Sequence, residues 1–201
     1  MGTAFYEVET VQSVRVLRLC SEDGTNRLRR ACVLALIDGV GQLRSEAAPL
    51  IITGNRKFFS AGADLNEIAA LNGPEAYEFS EMGQALMHTV ARYPAAVYAA
   101  VHGYCMGGGL DLALACTRRI AAPDAIFGHR GAALGLITGW GGTQRLPRLI
   151  GRARALQMFI AAGRLHAAKA LEFGLIDAIA QDPVAEAVAR IDSQANRTSL
   201  E

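Results

Sequence analysis

Two apolar runs, Pro49-Leu50-Ile51-Ile52-Thr53-Gly54 and Pro94-Ala95-Ala96-Val97-Tyr98-Ala99-Ala100-Val101, each break into a glycine-rich segment and then into a helix-like pattern. An unbroken apolar run has no polar face to offer water, so it belongs inside a parallel sheet. Parallel neighbours need a crossover, and the helical stretches supply it. The recurrence predicts an α/β layered fold built from a repeated unit. The glycine segments are Phe58-Phe59-Ser60-Ala61-Gly62-Ala63-Asp64-Leu65 and Gly103-Tyr104-Cys105-Met106-Gly107-Gly108-Gly109-Leu110-Asp111. Each can present backbone N–H groups at a helix start. Two such donors converging on one point form an oxyanion hole for an enolate or tetrahedral intermediate.

Around these units the pattern predicts a strand over Val14–Leu19 and an amphipathic helix from Leu28 to Leu43, with Leu28, Val33, Leu36, Ile37, Val40 and Leu43 on one face. A helix from Pro74 to Arg92 begins with proline in its first turn. The small residues of Leu110–Cys116 predict a further helix, and Arg119–Ala122 and Ala125–Gly128 two short strands. Leu136–Thr143 reads as a loop, followed by helices over Gln144–Ile150, Arg152–Ala162, His166–Phe173 and Val184–Ile191. Gly174 closes the third of these as a C-cap.

The 201 residues suit a core domain over 1–180 with a short helical, polar tail over 181–201. At 51% hydrophobic and 19% charged the chain is globular in composition, and a net charge of +1 makes no electrostatic case for nucleic acid or an anionic membrane. Cys20, Cys32, Cys105 and Cys116 have neither metal-ligand spacing nor a disulfide framework, so free thiols and no metal are expected. The first residues alternate apolar and polar without the apolar core of a signal peptide. No apolar stretch reaches the ~18 uninterrupted residues of a membrane span. A cytoplasmic, soluble protein is the expectation.

In order along the chain, Pro49–Gly54, Phe59–Leu65, Ala100–Gly103 leading to Gly107-Gly108-Gly109, Phe127-Gly128, Leu134-Gly135, Gly141–Leu146 and Gly174–Asp177 resemble the enoyl-CoA hydratase/isomerase (crotonase) family. The resemblance runs from about Val14 to Ala180. It implies a spiral of repeated ββα units, assembly into trimers or hexamers, and acyl-CoA thioesters as substrates of the kind met in fatty acid metabolism. No cofactor is implied beyond the coenzyme A of the substrate. The oxyanion donors it implies are the backbone N–H groups of Ala63 and Gly108. Around them Ser60, Ala61, Gly62, Asp64, Leu65, Gly107, His129, Gly131 and Trp140 are candidate pocket positions, with Asp64 also reading as a helix N-cap and Trp140 as a shaper of the acyl pocket.

Hydration in this family uses two glutamates. The first position is Asp111 here, shorter by one methylene (roughly 1.5 Å) yet still an acid or base. The second aligns with Gly131, which has no side chain. No Asp or Glu follows Asp124 until Glu172, so a local register slip does not supply one. His129, His88, Glu81 and Trp140 are the candidate substitutes; His129 reads first as a strand-end histidine bonded to backbone, and His88 does not fall at the matching offset from the glycine run. The nucleophilic aspartate and the histidine of dehalogenase relatives fall on Gly139 and Gln84, which excludes dehalogenation. Ser60 has no His/Asp pair placed to activate it. Relatives continue past Gly174–Asp177 with more helices, so a shortened C-terminal helical region and a less enclosed pocket are expected. The expectation is an acyl-CoA-processing enzyme with Asp111 as its one matched acid/base, performing isomerisation, decarboxylation or weak hydration. The alternative is a catalytically impaired protein that binds CoA esters or serves as a scaffold.

Overall fold

The computed structural model describes residues 3–198. In chain order its elements are β1 (Tyr6–Val11), β2 (Val14–Leu19), β3 (Arg27–Leu28), α1 (Arg30–Leu43), β4 (Leu50–Thr53), β5 (Phe58–Ser60), β6 (Gly62–Ala63), α2 (Leu65–Ala69) and α3 (Gly73–Ala91). Then come β7 (Val97–Val101), β8 (Tyr104–Met106), α4 (Gly108–Ala115), β9 (Arg118–Ala121) and β10 (Ile126–Gly128). A 3-10 turn over Gly131–Leu134 precedes α5 (Gly142–Ile150), α6 (Arg152–Ala161), β11 (Leu165–His166), α7 (Ala167–Glu172), β12 (Ala178–Ile179) and α8 (Pro183–Thr198).

The main sheet has the order β1-β2-β4-β7-β9-β12, parallel except for the β1–β2 hairpin. Its inner strands β4 and β7 are buried along their whole length because both faces are covered, and the period-2 alternation sorts the side chains between two cores. Leu17, Leu50, Ile52, Val97, Ala99 and Val101 face the larger core, which α1 and α3 close with Val33, Leu36, Val40, Leu86, Met87 and Val90. The intervening Val16, Ile51, Tyr98, Ala100 and Ile120 face α8, which packs Ala187, Val188 and Ile191 against them. No described helix is long and apolar enough to cross a membrane. All four cysteines are free, and three are buried.

A second sheet, β11-β10-β8-β5, and the two-stranded β3-β6 ladder stand apart from the main sheet. They account for the places where the periodicity misleads. Leu28 is not the first residue of a helix: it pairs with Ala63 in β3–β6, and α1 starts at Arg30. Each glycine segment, expected to lead straight into a helix, first forms a three-residue strand, β5 or β8. The helix expected at Leu110 starts two residues earlier, at Gly108. The helix expected over Val184–Ile191 extends to Thr198. At α3 the expectation holds. Asn72 and Glu75 form a reciprocal capping box, with proline in the first turn.

Arg119 ties the site-bearing helix to the sheet. It is 5% exposed, and its guanidinium donates to the carbonyls of Cys116 at the end of α4 (2.9 Å) and of Leu175 (2.8 Å). Asp177 Oδ2 accepts from the Arg119 amide at 2.8 Å and faces the guanidinium at 3.6 Å. Truncating this buried group leaves several acceptors unpaired. Arg119→Met is expected to cost about 3 kcal/mol in urea denaturation. Arg119→Lys recovers only part of this, because an ammonium cannot reach both carbonyls as a planar fork does.

Candidate active site

The two glycine segments meet because β5 and β8 are parallel neighbours, with Phe58 opposite Tyr104 and Ser60 opposite Cys105. At Gly62 the chain adopts φ +91°, and a Cβ there would lie 2.5 Å from the Met106 carbonyl and 3.0 Å from the Gly108 nitrogen. Only glycine combines that conformation with that approach. Gly107, at φ +51°, turns the second segment into α4, whose first-turn amides have no acceptor within the helix. A Cβ on Gly108 would lie 3.4 Å from the Ala63 nitrogen. The Ala63 and Gly108 backbones therefore stand together on the wall of a cavity of about 770 Å³.

Trp140 closes that wall. It is 4% exposed, its Nε1–H donates to the Phe79 carbonyl at 3.2 Å, and its ring lies 5.3 Å from that of Phe79. A side chain at Gly83 of α3 or Gly108 of α4 would overlap the indole, so the ring fills a notch that two glycines leave.

Asp111 lies one turn after Gly108 on α4 and lines the same cavity, although it is only 1% exposed. Its Oδ2 accepts from the Thr138 hydroxyl. Its Oδ1 faces His129 Nε2 at 3.3 Å, and neither atom has a hydrogen-bond partner among the described residues. Both groups rest on Gly142, where a Cβ would overlap Asp111 Oδ1 and lie 3.0 Å from His129 Nε2. Burial pushes the Asp111 carboxyl up to about 7, against the pull of Thr138, Arg145 and the Gly142 amide. Burial pushes the His129 imidazole down to about 4. Between those values burial keeps both groups uncharged.

A family model for enoyl-CoA hydratase/isomerase matches residues 9–199. The chain belongs to the enoyl-CoA hydratase/isomerase family. Among its relatives, a "probable enoyl-CoA hydratase" of Bacillus subtilis is 45% identical over 134 residues, which are 66% of this chain and 52% of that protein. A "crotonyl-CoA hydratase" of Syntrophomonas wolfei is 37% identical over 177 residues, 87% of this chain and 68% of that protein. The matched stretch thus spans about half of the first relative and two thirds of the second. The crystal structure of an enoyl-CoA hydratase from Bacillus anthracis superposes with a TM-score of 0.89 at 35% identity, over 94% of this chain and 76% of that one. The crotonase-like spiral expected from the sequence is the fold observed.

The enoyl-CoA hydratase/isomerase fold brings Ala61, Ala63, Leu65, Gly107, Gly108, Asp111, His129, Gly131 and Trp140 to one cavity. Ser60, Gly62 and Asp64 stand outside its lining. Ser60 is fully buried, donating to the Asn26 carbonyl and accepting from the Gly62 amide. Asp64 caps α2 through the Asn66 amide and pairs with Arg29 at 2.8 Å. Glu81 and His88 are exposed on α3, away from the cavity, and His88 lines a separate small pocket with Gln84. His129, expected at a strand end, turns Nε2 to Asp111. Thr138 and Gly142 were not singled out from the sequence, since a loop threonine and the second glycine of a pair give no periodic signal. Their roles come from contacts across 27 and 31 residues (111 to 138 and 111 to 142).

The raised Asp111 value sets the sign of a pH effect. Its contribution to stability is fully present below the unfolded carboxylate pKa, near 3.8, and is lost as pH rises through about 7. His129 works in the opposite sense: its contribution is present above 6.5 and is lost as pH falls through about 4. Asp111→Asn removes the first term alone. Urea denaturation at about pH 4.5 and about pH 7.5 should show the variant gaining on the wild type as pH rises.

Proposed function

We propose that the chain processes an acyl-CoA thioester, with the Ala63 and Gly108 amides holding the thioester oxygen and Asp111 moving the single proton of the reaction. The observation that carries this reading is the convergence of the two glycine segments and the Asp111–His129 pair on one cavity. Backbone donors stabilise the enolate without a side chain, and a lost donor costs ~2.7–4 kcal/mol of transition-state stabilisation. An acid poised near neutrality both gives and takes a proton efficiently. One acid suffices to shift a double bond by moving a proton between carbons, or to protonate the enolate left by decarboxylation.

Standard hydration asks for a second acid where Gly131 stands. A Cβ at that position would lie 2.6 Å from the Leu136 carbonyl, so the 3-10 turn leaves no room for a glutamate without a backbone shift. A second reading, binding of CoA esters without turnover, is favoured by this missing acid and by the enclosure of the Asp111 carboxyl. Assembly into trimers or hexamers belongs to the first reading, and the exposed Leu149, Leu156 and Ile160 on α5 and α6 support it. The relatives' printed names, enoyl-CoA and crotonyl-CoA hydratase, support the substrate class.

The test is a panel of crotonyl-CoA, a 3-enoyl-CoA and a malonyl-type CoA ester, with products identified. Turnover of the 3-enoyl or malonyl-type ester that falls about 10²-fold or more in Asp111→Ala supports the reading. No turnover of any ester, with wild type and variant alike, overturns it, and calorimetric binding in that case leaves the second reading. Gly131→Glu is expected not to raise crotonyl-CoA hydration, and a clear gain in hydration would show that the turn yields.

A further inference from the structure

The enclosed Asp111 carboxyl has a defined route to the cavity. Asp111 Oδ1 and His129 Nε2 are both enclosed, and the two residues are 1% and 4% exposed. Asp111 Oδ2 is engaged by the Thr138 hydroxyl, and Thr138 is the partly exposed member of the three. Thr138 lines the same cavity as Ala63 and Gly108. The loop that carries it is held from α3. Ser80 Oγ and Gln84 Nε2 donate to the Gly139 carbonyl at 3.1 and 2.9 Å. The Thr138 methyl lies over Gly142, on the same floor as the carboxyl and the imidazole.

We propose that the Thr138 hydroxyl is the substrate-facing end of a proton relay, Thr138–Asp111–His129, serving the α-carbon of a bound thioester. The proposal rests on the acyl-CoA reading above and names the group that touches the reacting atom. In the acid direction the hydroxyl turns its own proton to the enolate, reversing the hydrogen bond seen in the structure, so that protonated Oδ2 of Asp111 gives its proton to Thr138 Oγ1 while the Thr138 proton passes to the enolate α-carbon. The enolate electron pair forms the new C–H bond, and the carboxylate is left on Asp111. In the base direction Thr138 Oγ1 takes the α-proton as its own proton passes to Asp111, and the C–H electron pair becomes the enolate. Nothing is oxidised or reduced. His129 acts as a positioning residue, since Nε2 at 3.3 Å from Oδ1 fixes which oxygen is left to face Thr138. The other titratable or charged groups acting on the carboxyl, or acted on by it, are Arg145 of α5 and the buried Cys105 thiol of β8. Arg130 lines the cavity beside His129, and α6 presents the Phe159 ring, its centroid 5.3 Å from that of His129.

The test is α-proton exchange into butyryl-CoA in deuterium oxide, followed by NMR, with butyryl-CoA affinity measured in parallel by calorimetry. The wild type is expected to exchange. Thr138→Val should lose about 10²-fold or more in exchange with its affinity unchanged, while Thr138→Ser stays within about tenfold of wild type. Recovery by serine separates a hydroxyl role from a packing role, and Thr138→Ala replaces the valine variant if that protein does not fold. Exchange at the wild-type rate in the valine or alanine variant, with Asp111→Asn inactive, overturns the relay and leaves the acyl-CoA reading standing. A wild type that does not exchange the α-proton of butyryl-CoA overturns the relay, while turnover of the ester panel above decides the acyl-CoA reading separately.

Discussion

Close approach of two backbones is the constraint from which the site follows. At Gly62 the chain runs beneath the Met106 carbonyl and beside the Gly108 amide in a conformation that L side chains rarely adopt. A methyl group there would push β5 and β8 apart, and with them the starts of α2 and α4. Because α4 begins at Gly108, Asp111 falls one turn later, on the helix face that looks into the cavity. The same backbone geometry therefore places the amide donors and the acid. Trp140 takes its seat from this arrangement too, since its ring occupies the space that side chains at positions 83 and 108 would fill.

Electrostatics settles what can be kept in such a place. A lone carboxylate enclosed to this degree would be costly, and so would a lone imidazolium. Facing each other over Gly142, the two groups are held neutral by burial, which pushes the carboxyl up to about 7 and the imidazole down to about 4. The carboxyl and the imidazole stand on the α4 side of the cavity, beside the loop before α5.

Much of the architecture was legible in the sequence because parallel strands and their crossover helices carry strong signals. The strands Leu50–Thr53 and Val97–Val101 are buried throughout and nearly all apolar, and Pro74 marks a helix start. The short strands Phe58–Ser60 and Tyr104–Met106 were not legible. Three residues show no period, and their pairing depends on each other across the chain. Leu28 was assigned to the wrong element for a related reason: its spacing fits the helix, but its main chain is held by Ala63.

The motif order by itself determined the family and the layered α/β spiral, and it singled out the two glycine segments, because glycines at close-approach points and apolar strand runs are local requirements of the backbone. It also determined that position 131 offers no acid. Only the tertiary structure decided that His129 answers Asp111, that Thr138 joins them and faces the cavity, and that Ser60 and Asp64 serve the scaffold. Those outcomes depend on side chains brought within hydrogen-bond range from separate elements. That proximity is set by the packing of α3, α4 and α5, and no local pattern in the chain encodes it.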